Sequence, residues 1–313
     1  RSRQLRGIRY LSPSTVNTMR TRGWIAGLAG LMLLASCGGD QPKQDTLNVD
    51  PATDSATVAR QKKTKAIFYN IPSPMETAAL LKKAGAEYDK SILNDVKHVD
   101  SYTAASKQAL NLGIYGADLS YTSVFNNTAE SMLYTSCAKK LADKLGVSSA
   151  FNDTTIERME ANRNERDSLL NIISETYWEV DAYLKENQRE NISALMVAGG
   201  WVEGLYIASQ VCLVHNTPEL RQRIAEQKLP LADLISLINT YGTTDQGVNS
   251  VLADLKALEP LFANVTVGGG GSNVTQEGGV TVIGGSAPAA SITDEQVKAI
   301  AEKTTAIRNT YIN

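Results

Sequence analysis

An apolar stretch of 21 residues, residues 194–214, sets the first limit on how this chain folds. A helix of that length would reach across a hydrocarbon core, which needs about 20 residues. Glu203 lies near its centre, however, and inserting a charged side chain at that depth costs about 2.5–3.5 kcal/mol. We therefore predict a central helix of a folded core, whose small residues, Gly199, Gly200 and Gly204, let a neighbouring helix approach closely.

Signals that begin helices recur along the chain. Ser73-Pro74-Met75-Glu76 supplies an N-cap serine, a proline in the first turn and a glutamate three residues after the cap. Thr154, Thr217 and Thr293 open similar sequences. Apolar stripes at three- and four-residue steps run through residues 128–145, 169–184, 219–241 and 246–262. These patterns predict an all-α chain, a multi-helix bundle or helical array with short loops.

One segment near the C-terminus, residues 264–290, departs from the helical pattern. Valine-rich pieces at 265–267 and 280–283 flank glycine-rich turns. Two short strands in a β-hairpin are one interpretation of this Gly-rich insertion. A flexible loop is the other, since the entropy that glycine loses on ordering opposes both strands.

The first part of the chain has the layout of a secretory signal. Arg20 and Arg22 put positive charge ahead of a twelve-residue apolar run, residues 24–35, and no acidic residue precedes Asp40. The apolar run is much shorter than a membrane-spanning helix. We therefore predict a signal peptide over residues 19–36.

The sequence that closes this segment, Leu34-Ala35-Ser36-Cys37, resembles the lipobox of bacterial lipoproteins. In that family the cysteine thiol is joined to diacylglycerol, the preceding peptide is removed and the new amino group is usually acylated too. The resemblance implies that Cys37 becomes the lipidated first residue, with enough acyl chains for stable membrane anchoring. Gly38 is not the aspartate that retains many Gram-negative lipoproteins at the inner membrane. The resemblance therefore also implies an outer-membrane lipoprotein, facing the periplasm rather than the cell surface.

These signals divide the chain into four parts. Residues 1–18 precede the first methionine and are expected to be an upstream extension outside the native protein. Beyond the signal peptide, residues 37–65 are polar and are expected to be a flexible tether. The helical domain is expected over residues 66–313. Two of its segments, 66–74 and 198–206, look similar to those of uncharacterised envelope lipoproteins, and the similarity implies no particular activity.

The charge and the cysteine content of the chain limit which partners it could bind and whether it forms a disulfide. Six of the 31 basic residues lie before Cys37 whereas all 33 acidic residues follow it, so the part of the chain from Cys37 onward has a formal charge of −8. An acidic protein is a poor binder of nucleic acid. A secreted compartment would permit Cys137 and Cys212 to form a disulfide, but we favour two buried free thiols.

Two acids on largely apolar helices are the candidates for chemistry. Asp118 and Glu203 are each followed three residues later by a tyrosine, Tyr121 and Tyr206, and a buried acid needs a partner or a raised pKa. A pair of carboxylates in a cleft would serve acid–base work or hold a cation, whereas acids that accept hydrogen bonds fix helix packing. We favour packing, because buried polar groups are normally satisfied in this way. Trp201 completes this set of candidate ligand or packing residues.

No sequence motif points to a cofactor or a metal. His98 and His215 are far apart and belong to no metal-binding pattern. The glycine run at 268–271 is not followed by the lysine of a phosphate-binding loop, and no serine lies in a G-x-S-x-G elbow. We predict neither a cofactor nor a metal site.

Three hypotheses for function follow. The first is a scaffold or protein-interaction module, held at the membrane by its N-terminal lipid, with protein partners in the envelope. The second is a periplasmic binding module with a pocket for a small or apolar ligand near Trp201 and Tyr206. The third is an enzyme that uses the carboxylates of Asp118 and Glu203.

Overall fold

Helices make up most of the described chain, as the recurring apolar stripes predict. The computed structural model describes residues 74–83, 85–241, 245–267, 274–277, 280–283 and 291–313, all within one structural unit. The predicted signal peptide, the predicted lipidation site at Cys37 and the predicted tether lie outside the described residues. Within those residues the fold is all-α apart from one pair of short strands.

The helices are numbered here in chain order. They are α1 (Pro74–Lys83), α2 (Ala105–Val124), α3 (Thr128–Lys144), α4 (Asp153–Ala161), α5 (Arg166–Glu186), α6 (Glu190–His215), α7 (Pro218–Glu226), α8 (Lys228–Tyr241), α9 (Gln246–Lys256), α10 (Glu259–Phe262) and α11 (Asp294–Ile312). Two 3₁₀ turns, Lys90–Ile92 and Val96–Asp100, lie between α1 and α2. The strands are β1 (Val274–Glu277) and β2 (Val280–Ile283), which pair in antiparallel orientation.

The Gly-rich segment differs from its sequence prediction in one respect. Residues 265–267 do not form the first strand: Val265 is buried against the core, and Thr266 forms an isolated bridge with Ser291. The residues that join and flank β1 and β2 lie outside the described part of the chain. The pairing of β1 and β2 alone does not support a fixed hairpin insertion over the whole of 264–290. The choice between a hairpin and a flexible loop stays a prediction.

The centre of the domain is α6, the helix that carries the apolar stretch. It packs against α1, α2, α5, α7, α8, α9 and α11. Among the described residues it is the one helix long and apolar enough to cross a membrane by length and composition, and 89% of its most apolar window is buried inside the domain. Burial by other helices is the environment expected of a core helix, as the sequence predicts.

Two glycines bring α2 and α6 into close contact. A Cβ atom at Gly199 would lie 2.0 Å from the backbone oxygen of Leu110, and one at Gly113 would lie 1.9 Å from the backbone oxygen of Met196. Real side-chain atoms do not approach this closely, so a larger residue at either position would push the helices apart. The close approach that the sequence predicts for α6 occurs at Gly199, whereas Gly204 has open space around its Cβ position.

Helix ends follow the capping chemistry of the sequence with one correction. Thr293 begins α11 with a capping box to Gln296, and Thr217 caps α7 through the backbone N–H of Leu220. Thr154 is not a cap: α4 begins at Asp153, and Asn152 accepts the capping hydrogen bond from Thr155 at 2.8 Å. The threonine is therefore already inside the first turn.

Candidate functional site

A buried ion pair joins α6 to α11. The carboxylate of Glu203 accepts two hydrogen bonds from Arg308, at 2.7 Å from Nε and 2.8 Å from Nη2. This bidentate geometry is the strongest that arginine and a carboxylate form. Glu203 is fully buried and Arg308 is 5% exposed, so the pair is shielded from solvent on all sides.

The arginine has two further contacts in the same place. Its Nη2 also donates to the backbone oxygen of Ile92 at 3.1 Å, and its guanidinium lies 4.2 Å from the ring centre of Tyr206. Burial lowers the pKa of Arg308, but the charge and hydrogen bonds of Glu203, together with the nearby Asp118, outweigh that effect and the pKa is raised. Arg308 therefore remains a cation, fixed by an acid, a carbonyl and an aromatic ring.

Asp118, on α2, lies beside this ion pair. It is fully buried, its Oδ2 accepts a hydrogen bond from the backbone N–H of Asn94 at 3.2 Å, and its carboxyl lies within hydrogen-bonding reach of Glu203. No donor among the described residues binds its Oδ1. Burial, and then the negative charge of Glu203, raise the pKa of Asp118 well above its ordinary value, although the charge of Arg308 opposes them.

A layer of polar side chains extends from Asp118 through Asn94. The amide of Asn94 donates to the hydroxyl of Tyr102 at 3.1 Å and to Asn111 Oδ1 at 3.3 Å, while its own Oδ1 accepts from His98 Nδ1 at 3.1 Å. Tyr134 donates to the backbone oxygen of Asn94 at 3.1 Å. Asn94 thus connects the segment before α2 with α2 and α3, and its contact with His98 places one of the two histidines in a hydrogen-bond network.

The same layer binds the C-terminal end of α11. Asn111 donates to the backbone oxygen of Tyr311 at 2.9 Å, and Tyr102 donates to that of Ile312 at 3.2 Å. Lys107 Nζ donates to the backbone oxygen of Asn313 at 3.0 Å and also to that of Thr310. The last carbonyls of a helix have no partner within it, and a positive charge near them is favourable. The polar layer therefore fastens α11 to the core.

The structure brings three of the five candidate residues together and places the other two elsewhere. Asp118, Glu203 and Tyr206 meet at the buried centre around Arg308. Tyr121 lies elsewhere on α2, where its hydroxyl donates to the backbone oxygen of Glu87 at 3.2 Å. The indole of Trp201 donates to Gln227 at 3.1 Å beside a cleft of about 10 Å³, which is room for a single water molecule.

The segments around Asp118 and Glu203, in which the acid is followed three residues later by a tyrosine, lie side by side in the fold. Leu110 meets Gly199, Gly113 meets Gly200, and further along Asp118 meets Glu203, with nearly the same sequence offset each time. Side-by-side contacts of constant offset mean that α2 and α6 run in the same direction. The two similar segments therefore lie level with each other, which places the acids together.

Arg308 is the functional residue that the sequence analysis missed. The buried residues of α11 follow one another at three- and four-residue steps, and they include Ile300, Thr304, Ile307 and Tyr311. Arg308 lies on this same face, four residues after Thr304. A single cation on an otherwise apolar helix face was the available signal, and it indicates a buried acid elsewhere in the fold.

The described part of the chain offers few side chains for metal binding or thiol chemistry. No three His, Cys, Asp or Glu side chains come together there in a way that would hold a metal ion. Cys137 and Cys212 are free and buried, and burial raises the pKa of each thiol to about 11. Thiols of this kind pack as small apolar groups, because the reactive form is the thiolate.

The geometry favours a packing role for the acids. Glu203 has its hydrogen bonds satisfied, and neither acid reaches solvent, so a substrate would contact them only if the surrounding elements moved apart. Arg308 on a third helix makes the centre a joint between α2, α6 and α11. The charged centre therefore fixes the positions of α2, α6 and α11 relative to one another.

Comparison with known proteins assigns no family. No protein-family model, no curated protein and no solved structure matches the chain. The fold and the site therefore define the class on their own terms: a helical domain assembled around a buried acid–arginine centre.

Proposed function

We propose that this protein is a lipid-anchored lipoprotein of the bacterial envelope, and that its helical domain is a scaffold or protein-interaction module. The observation that carries the proposal is the sequence Leu34-Ala35-Ser36-Cys37, which follows a short apolar run preceded by two arginines. Cys37 is the proposed lipidation site. The outer membrane is the proposed location, with the domain facing the periplasm.

Two features of the domain support an interaction role over ligand binding or catalysis. The cleft beside Trp201 has room for one water molecule, far less than the 300 Å³ or more of a typical small-molecule pocket. The acids of the buried centre, Asp118 and Glu203, have no solvent access. Neither the cleft nor the buried acids offer access to a ligand or a substrate, which favours the surface as the working part of the domain.

Replacing Cys37 by alanine is expected to abolish lipidation and to release the protein from membranes. Each buried CH₂ of an acyl chain contributes about 0.8 kcal/mol to membrane binding, so removing all chains removes the anchor. Cells fed an alkyne fatty acid would be fractionated, and the protein would be followed by click labelling and immunoblotting. The wild type should be labelled and sediment with outer membranes, while Cys37→Ala should be unlabelled.

Cys137→Ala is the matched control for that experiment, because Cys137 is a buried free thiol within the domain. This variant should keep both the label and the membrane location. The proposal is contradicted if Cys37→Ala retains the label, or if the N-terminal residue of the purified protein is not residue 37.

The interaction role is tested by photo-crosslinking in intact cells. Large apolar side chains are exposed at Val214 and Leu229, at 78% and 61%, and a photoreactive amino acid at each position would report on contacts there. Glu179, which is exposed on α5, provides a control position. We expect a defined envelope-protein adduct from Val214 or Leu229 that disappears in the Cys37→Ala background. If none of the positions gives an adduct, the interaction role is wrong even where lipidation holds.

A further inference from the structure

The buried centre holds two acids and one cation. Asp118 and Glu203 are fully buried, and Arg308 is 5% exposed. If both acids were ionised, the interior would carry an uncompensated negative charge, which is among the most unfavourable arrangements a protein core can have. With one proton on the two acids, the centre is electrically neutral.

The hydrogen bonds indicate where that proton lies. Glu203 accepts both bonds from Arg308, as an ionised carboxylate does. Asp118 accepts one bond from the backbone of Asn94, lies within hydrogen-bonding reach of Glu203, and has one oxygen to which no described residue donates. A carboxylate oxygen in that position would face a like charge. A protonated carboxyl would donate a hydrogen bond to Glu203 and satisfy the orphaned atom.

Two charged side chains dominate the electrostatics of Asp118. Arg308 is the cation and Glu203 the anion with the largest effects on it. The other groups that face it come from α2, α3, α5, α6 and the segment before α2, and burial raises the pKa of every one, so all are neutral at physiological pH: Tyr88, Tyr102, Tyr115, Tyr134, Cys137, Tyr177 and Tyr206.

We propose that Asp118 and Glu203 hold a single proton between them, and that this proton is required to keep α11 docked on the core. Arg308 is the residue of α11 that lies in the charged centre, and its single positive charge neutralises one carboxylate only. Loss of the proton places two like charges side by side, and the strain is relieved by admitting water or by releasing α11. This inference concerns the domain alone and holds whether or not the chain is lipid-anchored.

The sign of the pH dependence follows from linkage. Burial raises the pKa of Asp118 in the folded protein above the value of about 3.9 that it has in an unfolded chain. Between these two values the folded state binds the proton and the unfolded state does not, so stability falls as pH rises. One proton changes the unfolding constant by up to about tenfold for each pH unit. The loss ends once pH passes the folded-state pKa.

The test is the substitution Asp118→Asn, which keeps the size of the side chain and donates an N–H to Glu203 without a titrating proton. Unfolding in urea would be measured between about pH 5 and 9 for both proteins. We expect the unfolding constant of the wild type to rise relative to that of the variant by up to about tenfold per pH unit. The variant should be the more stable of the two at the alkaline end.

Asp143→Asn, at an exposed position on α3, is the matched control and should follow the pH profile of the wild type. Hydrogen exchange, corrected for intrinsic rates, should show amides of α11 losing protection with rising pH before those of α8. Parallel pH profiles for the wild type and Asp118→Asn would overturn the proposal.

A measurement on the unchanged protein keeps the proposal testable even if Asp118→Asn fails to fold. Carboxyl-carbon NMR of aspartate-labelled protein, assigned through bonds, reports the protonation of each acid directly. The Asp118 carbon should remain in its protonated position at neutral pH. If it titrates at or below the ordinary aspartate value, Asp118 does not carry the proton that the hydrogen bonds assign to it and the inference is wrong.

Discussion

Replacing Arg308 by methionine is expected to lower the free energy of unfolding by about 3–5 kcal/mol, because Glu203 is left as a buried acid without its counter-ion. Methionine fills much of the same volume, so the loss reports on charge more than on packing. A domain is typically stable by about 5–15 kcal/mol, so the change would remove a large share of that margin. Urea denaturation followed by circular dichroism measures it.

The double variant Arg308→Met with Glu203→Leu distinguishes charge from shape. With both partners replaced by apolar residues of similar volume, no unpaired charge remains, and most of the lost stability should return. A single variant that loses less than about 1 kcal/mol would show that the ion pair contributes little, since that is the value typical of exposed pairs.

Replacing Gly199 by alanine is expected to destabilise the domain by about 1–3 kcal/mol or more, even though alanine is the better helix former. The added Cβ would lie 2.0 Å from the backbone oxygen of Leu110, and a backbone atom cannot move aside without moving α2. Thermal unfolding monitored by circular dichroism, with urea titration for the free energy, measures the loss.

Gly204→Ala provides the matched control on the same helix. No atom lies within 4 Å of its Cβ position, so the substitution should stabilise the domain by about 0.8–1.0 kcal/mol through helix propensity alone. Opposite signs at two glycines five residues apart would confirm that Gly199, and not Gly204, lies at the contact between α2 and α6. Equal effects at both positions would contradict the packing described here.

Local chemistry made part of this architecture predictable from sequence. The apolar stretch around Glu203 indicates a core helix because its composition suits burial while its charge does not suit lipid. Thr217 and Thr293 mark helix starts because capping depends on residues three apart. The cap at Asn152 was missed because Thr154, two residues later, offers the same chemistry in sequence.

The site was less predictable, because its contacts connect distant parts of the chain. Asp118 and Glu203 stand out as acids on apolar helices, but their partner Arg308 lies 105 residues beyond Glu203, where periodicity carries no information. Asn94 lies outside the helices, in a stretch with no apolar stripe. Tyr121 and Trp201 joined the candidates through their sequence neighbours and face other surroundings in the fold.

The distance along the chain between Glu203 and Arg308 also sets the order in which the domain is completed. A ribosome that has finished α6 has not yet made the counter-ion of its central acid, so the emerging chain carries that acid without a partner. Contacts that span so many residues close late, after local helices have formed. We therefore expect assembly of the interior to wait for α11, and a nascent chain halted before Arg308 to remain open to proteases and chaperones.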